Sequence, residues 1–112
     1  MKLVKKSVRE ELKKEYLKRY DRINVVNRFA DNLDVESAYA VGRRHLTGYR
    51  TFKNISLGTL LIQEAARHNH PPALHDLAYM YEIGMGVTKN KKLSNHYYRE
   101  CAWYATNRKN NG

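Results

Sequence analysis

The stretch Leu77-Ala78-Tyr79-Met80-Tyr81-Glu82-Ile83-Gly84-Met85-Gly86-Val87-Thr88-Lys89-Asn90, followed by Tyr97-Tyr98-Arg99-Glu100-Cys101-Ala102, has a counterpart 36 positions upstream. At that shift Gly48 falls on Gly84, Asn54 on Asn90, Leu57 on Leu93 and Ala66 on Ala102. Near-equivalents follow: Ser37 with Ala73, Val41 with Leu77, Gly42 with Ala78, and Ala65 with Cys101. A fixed period of this length is the signature of a repeat architecture. Each unit reads as helix, Gly-ended turn, loop, helix. Gly48 and Gly84 suit the left-handed position that closes a first helix. Asn54 and Asn90 suit the N-cap that opens a second. The small pairs Gly42 and Ala78, and Ala66 and Ala102, let neighbouring backbones approach closely.

Upstream of the repeats the pattern changes. Val4, Val8, Leu12, Tyr16, Tyr20, Ile23 and Val26 recur at steps of three and four, with Lys and Arg filling the other faces. This predicts one basic amphipathic helix over Lys2–Arg28, roughly 40 Å long at ~1.5 Å per residue. Glu10 with Lys14, and Glu15 with Arg19, stand at the favourable i,i+4 order. Asp31-Asn32-Leu33-Asp34 interrupts the pattern, and Asp34 suits the N-cap of the next helix. The expected organisation is therefore a basic helix in 1–33, two repeats in 34–107 and a flexible tail in 108–112.

The whole chain has the composition of one soluble globular domain: 112 residues, 42% hydrophobic and 29% charged. No apolar run reaches the ~18 residues of a membrane span. Ser7-Val8-Arg9-Glu10-Glu11 follows the basic start where a secretory signal would place an apolar core, so no cleavable leader is expected. A single cysteine, Cys101, allows no internal disulfide, which points to a reducing, cytoplasmic location. Twenty-one Lys and Arg against eleven Asp and Glu leave +10, a balance that favours an anionic partner. The excess is spread evenly along the chain rather than gathered in one stripe, as a nucleic-acid binder would more often have it.

The second unit resembles a Sel-one-like repeat, a 36-residue cousin of the tetratricopeptide repeat. Leu77-Ala78 stands for the family's Leu-Gly, Ile83-Gly84-Met85-Gly86-Val87 carries its Gly-x-Gly-Val, and Asn90 replaces its Asp. Tyr97-Tyr98 stands for Trp-Tyr and Cys101-Ala102 for Ala-Ala. In the first unit Val41-Gly42, Gly48, Asn54 and Ala65-Ala66 fit, but Tyr49-Arg50-Thr51 lacks the second Gly and the Val. The resemblance covers about 36–107, and the N-terminal third is unmatched. It implies an all-α fold, a short α-solenoid of two helix hairpins preceded by the long basic helix, used as a protein-binding scaffold with no catalytic residues.

Two repeats are fewer than the ~3 such stacks normally need, because each unit buries its apolar face on a neighbour. The N-terminal helix is then expected to shield one end, with Trp103 and Tyr104 covering the other. A straight helix of the predicted length would overhang the stack, which leaves monomer and homodimer both open.

The expected recognition surface is the concave face lined by the first helix of each pair. With Ala38, Val41 and His45 (and Leu74, Leu77 and Tyr81) turned to the core, that face presents Tyr39, Arg43 and Leu46, then His75, Tyr79 and Glu82. Aromatic and Arg side chains are common interface anchors. Tyr39 and Tyr79 could equally pack between the helix pairs. Anion or nucleic-acid contact would fall to Lys5, Lys6, Arg9, Lys13, Lys14, Lys18, Arg19 and Arg22, or to Lys91 and Lys92 at the start of the last helix. A solvated helix face is the ordinary reading of such a run.

His45, His68, His70, His75 and His96 do not follow zinc-site spacing, so no metal is expected. Cys101 takes the place of a packed Ala and reads as a small hydrophobe. No phosphate loop, nucleophile elbow or carboxylate pair is present. The expectation is a non-enzymatic adaptor, regulator or inhibitor without a cofactor, binding a protein with an acidic surface. The alternative is an RNA- or DNA-associated factor using the basic helix.

Overall fold

The computed structural model describes residues 2–107. Its helices are α1 (Lys6–Leu17), α2 (Ile23–Asp31), α3 (Val35–Thr47), α4 (Ile55–Arg67), α5 (Pro71–Ile83) and α6 (Lys91–Asn107). Among the described residues the one extended pairing is an isolated bridge between Leu3 and Asp34. No described helix is long and apolar enough to cross a membrane. The expected tail, 108–112, lies outside the described residues.

The 36-residue period is present in the helix ends and in the turns that join them. α3 and α5 start and stop at equivalent positions, and α4 and α6 start at equivalent positions. Gly48 and Gly84 close the first helices with φ of 75° and 77°. Their amides donate to Arg44 O at 2.7 Å and Met80 O at 2.8 Å. Asn54 Oδ1 and Asn90 Oδ1 each accept the N–H three residues on, at 3.0 Å in both cases. The Asn backbone amides in turn donate to His45 O and Tyr81 O, which ties each loop to the helix before it. One local grammar thus folds both hairpins.

The hairpins stack through α4 against α5, while α1 lies along another side of α4. α4 is therefore the central helix, with Leu57, Leu61, Ile62, Ala65 and Ala66 all in the core. Of the expected core residues, Ala38, His45, Leu74 and Leu77 are buried, whereas Val41 and Tyr81 are half-buried against the core. Gly42 faces Gly58 across the first hairpin: a Cβ on Gly58 would lie 2.8 Å from Gly42 O. Ala66 is buried but its equivalent Ala102 is exposed, because α6 has no helix on its far side. For the same reason Trp103 stays 54% exposed rather than covering that end; Tyr104 alone of the pair packs against the core.

The N-terminal third departs most from expectation. It forms two helices, not one, with the chain turning at residues 18–22. Val4, Val8 and Leu12 are buried as the stripe predicts, but Tyr20 and Ile23 are exposed. Folding back lets Phe29 stack on Tyr16, with ring centroids 5.8 Å apart, and buries Val26 and Ala30. A straight helix would have left those groups in water, so burial outweighs helical continuity. No overhang results.

The fold-back also redirects the charges. Lys13 reaches Asp31 on α2 at 3.0 Å and Glu10 at 3.5 Å, and Glu15 pairs with Lys18 at 2.9 Å. The expected Glu10–Lys14 and Glu15–Arg19 pairs give way to these contacts, with Arg19 lying 4.0 Å over the Phe52 ring. The segment is fastened at its start by Val4 N–H to Leu33 O (3.1 Å) and Val35 N–H to Lys2 O (3.0 Å). Asp34 is the N-cap, accepting Ser37 N–H at 2.8 Å. The side-chain and backbone hydrogen bonds of Ser37 hold the Asp34 carboxyl below the usual range.

Candidate protein-binding face

The first helices of the two repeats, α3 and α5, display adjoining polar and aromatic side chains. Arg43 Nε lies 3.4 Å from Asp76 Oδ2, which joins α3 to α5. The Arg43 guanidinium also reaches the Tyr39 hydroxyl at 3.5 Å and stands 5.9 Å from its ring centre. Tyr39 packs edge-on to His70. Burial, and then the Asp76 carboxylate, push the Tyr39 phenol above its ordinary pKa.

The second repeat continues the surface. Tyr79 is 48% exposed. Exposed His75 packs edge-on against Tyr98, and the Tyr98 hydroxyl donates to Glu82 Oε1 at 2.8 Å. That hydrogen bond raises the Tyr98 pKa. Five of the six expected contact residues thus stand on or near this face. Leu46 does not: it is 9% exposed and fills the space that Gly58, lacking a side chain, leaves against α3.

Arg44, Tyr49 and Arg50 were not foreseen. A shallow cleft of about 360 Å³ is lined by Tyr39, Ala40, Arg43, Arg44, Thr47 and Tyr49. Tyr49 is exposed there, with the Arg50 guanidinium 5.2 Å from its ring centre. The signal lay in the departure Tyr49-Arg50-Thr51, where the second unit has Met85-Gly86-Val87. Arg50 occupies the position of Gly86 and takes the same left-handed backbone, φ 57° against 72°. An arginine is held where glycine is favoured.

The basic residues of the N-terminal segment do not form one open stripe. Arg9 Nε donates to Val4 O at 3.1 Å and its guanidinium stands 3.8 Å from Asp31. Lys13, Lys18 and Arg19 are engaged with Asp31, Glu15 and the Phe52 ring. Lys5, Lys6 and Lys14 are exposed, and Lys5 gives its backbone N–H to Glu64 Oε2 at 2.7 Å. Lys91 and Lys92 are exposed at the start of α6, beside the amide that Asn90 already caps.

Among the described residues no group of three or more His, Cys, Asp and Glu side chains could hold a metal ion. Cys101 is half-buried, its Sγ 3.3 Å from Pro71 O, and burial raises its thiol pKa. That protonated thiol is a poor nucleophile.

A scan against protein-family models matches the Sel1 repeat at residues 35–70 and again at 71–102. Neither the curated proteins nor the solved structures contain a match to the chain.

Proposed function

Because the chain belongs to the Sel1-repeat family, whose repeats are generally protein–protein interaction modules, we propose that it is a non-enzymatic adaptor or regulator that engages an acidic protein surface. The observation that carries this reading is the Arg43–Arg44–Tyr49–Arg50 group on α3 and its following turn. Exposed arginines and tyrosines are clustered there around a cleft, with Tyr79 and His75 extending the surface on α5. Arg and Tyr are enriched among residues that dominate interface energies, and guanidinium groups pair carboxylates in a two-pronged geometry. Asp76 holds Arg43 in place and offsets one positive charge, while Arg44 and Arg50 remain outward.

The pairing of Arg9, Lys13 and Lys18 with carboxylates of the N-terminal hairpin weighs against a phosphate-tracking surface there. The test is affinity purification of the tagged full chain, with and without nuclease, compared with Arg44→Glu and Tyr49→Ala. Both positions are exposed, so neither change should disturb the fold. Acidic proteins retained after nuclease and lost with either substitution support the proposal. Recovery that depends on nucleic acid, or that ignores both substitutions, overturns it.

A further inference from the structure

α2 divides its apolar side chains between the core and water. Val26 and Ala30 are buried, but Ile23, Val25 and Phe29 are exposed, Val25 by 58%. Val25 and Phe29 share a side of the helix, and Arg22, the residue before its first turn, lines the same cleft. Tyr16, near the end of α1, and Tyr20, in the turn that follows, line with them a cleft of about 670 Å³. The floor is aromatic: Tyr16 and Phe29 are stacked at an interplanar angle of 6°, and Tyr20 meets Tyr16 edge-on. Arg19, Asp21 and Arg22 form the rim.

Charge decides what fits. Arg9, Lys13 and Lys18 are paired with carboxylates. Among the described residues Arg19 and Arg22 form no ion pair, although Arg19 lies over the Phe52 ring; with Asp21 they leave the rim net positive beside the exposed apolar surface. Apolar floor and unmatched guanidinium rim together call for aliphatic side chains flanked by carboxylates. An aromatic cage for a cationic ligand is disfavoured by the same two arginines, despite its rings. So is a second copy of this chain, since a two-fold pairing would set Arg19 and Arg22 near their own counterparts on molecules that each carry +10. The lining residues come from two helices and the turn between them, a groove that a third helix fills by packing its ridges against theirs.

We propose that the α1–α2 cleft docks an amphipathic helix of an acidic partner, with its aliphatic face on Tyr20, Val25 and Phe29 and its carboxylates on Arg19 and Arg22. The site is separate from the α3–α5 face, and either can fail without the other.

The test is fluorescence anisotropy of the full chain with a labelled synthetic helix carrying Leu along one face and Glu on its flanks, and with a twin in which Lys replaces Glu. The Glu peptide should bind at least about tenfold more tightly than the Lys peptide. Val25→Asp should weaken it by about tenfold or more, and Arg22→Glu should reverse the preference between the peptides. Circular dichroism should be unchanged, since both side chains are exposed, and Arg44→Glu and Tyr49→Ala should leave this binding intact. Equal binding of both peptides, no binding of either, or binding indifferent to Val25→Asp and Arg22→Glu overturns the proposal. So does a dimer that Val25→Asp abolishes and that excludes the Glu peptide.

Discussion

Two buried polar groups, His45 and Glu64, hold the N-terminal hairpin to the repeats, and their titration should make its stability depend on pH. His45 is fully buried, with Nδ1 3.0 Å from Phe52 O and Nε2 2.8 Å from the Tyr16 hydroxyl. A carbonyl can only accept, so Nδ1 carries the proton and Nε2 accepts from Tyr16. Burial, aided by the charge of Arg19 and opposed by the Phe52 hydrogen bond, lowers the His45 pKa below its ordinary 6.5. Burial also raises the Tyr16 phenol to about 12. Glu64, 3% exposed, accepts from Lys5 N–H, Arg67 and His68. Burial pushes its carboxyl upward, but these hydrogen bonds prevail and hold it below 4.5. For both groups the unfolded chain takes up a proton before the native state does. Their contributions are present above the unfolded values and are lost as pH falls, first below 6.5 for His45 and then below 4.5 for Glu64. Glu64→Gln should therefore cost about 2 kcal/mol at neutral pH and flatten the lower limb alone. Urea denaturation at a series of pH values measures both; an unchanged limb below pH 4.5 would refute the assignment to Glu64.

At the scale of the helices, the α3–α4 seam depends on two facing glycines. A Cβ on Gly58 would meet Gly42 O and Leu46 Cγ, each at 2.8 Å. Backbone cannot yield as a flexible side-chain tip does, so Gly58→Ala should destabilise the chain by about 1–3 kcal/mol despite its higher helix propensity. Thermal or urea unfolding checks this, and a neutral or stabilising result would show that the seam can part. The same seam explains what the sequence made legible. Gly48, Asn54, Gly84 and Asn90 act through their own turns, so their spacing alone delivers both hairpins. Leu46 extends the buried stripe of Ala38, Gly42 and His45, being one turn on from Gly42, and it lies at the edge of that stripe because Gly58 on another helix leaves it room. The turn at residues 18–22 is hidden for a related reason. It has no Gly or Pro, and the apolar stripe runs through it. It exists because Phe29 finds Tyr16, a contact between residues 13 positions apart. The α3–α5 face was legible through Tyr39, Arg43 and Tyr79; Arg44 stands beside Arg43 on α3, and Tyr49 and Arg50 join only through the geometry of the following turn. The α1–α2 cleft was invisible while those residues belonged to one straight helix.

Across the whole molecule, stability should be graded from the centre outward. α4 is enclosed by α3, α5 and α1, with Leu61 and Ile62 fully buried. α6 rests on α5 and has Ser94 as its one buried residue. α2 rests on α1 and buries two of its nine residues. Repeat stacks are held by nearest-neighbour interfaces, so an end unit can open without the rest. Hydrogen bonds covered by few apolar side chains exchange through such local openings. Native-state hydrogen exchange should find the slowest amides in α4. The fastest helical amides should lie in α2 and in the second half of α6, from Trp103 onward. Urea at concentrations below the global transition should accelerate the α4 amides more than those of α6, because opening α4 exposes more surface. Equal protection of α2, α4 and α6 with the same urea dependence would mean that the hairpins unfold only together. The nearest-neighbour account of this short solenoid would then be wrong.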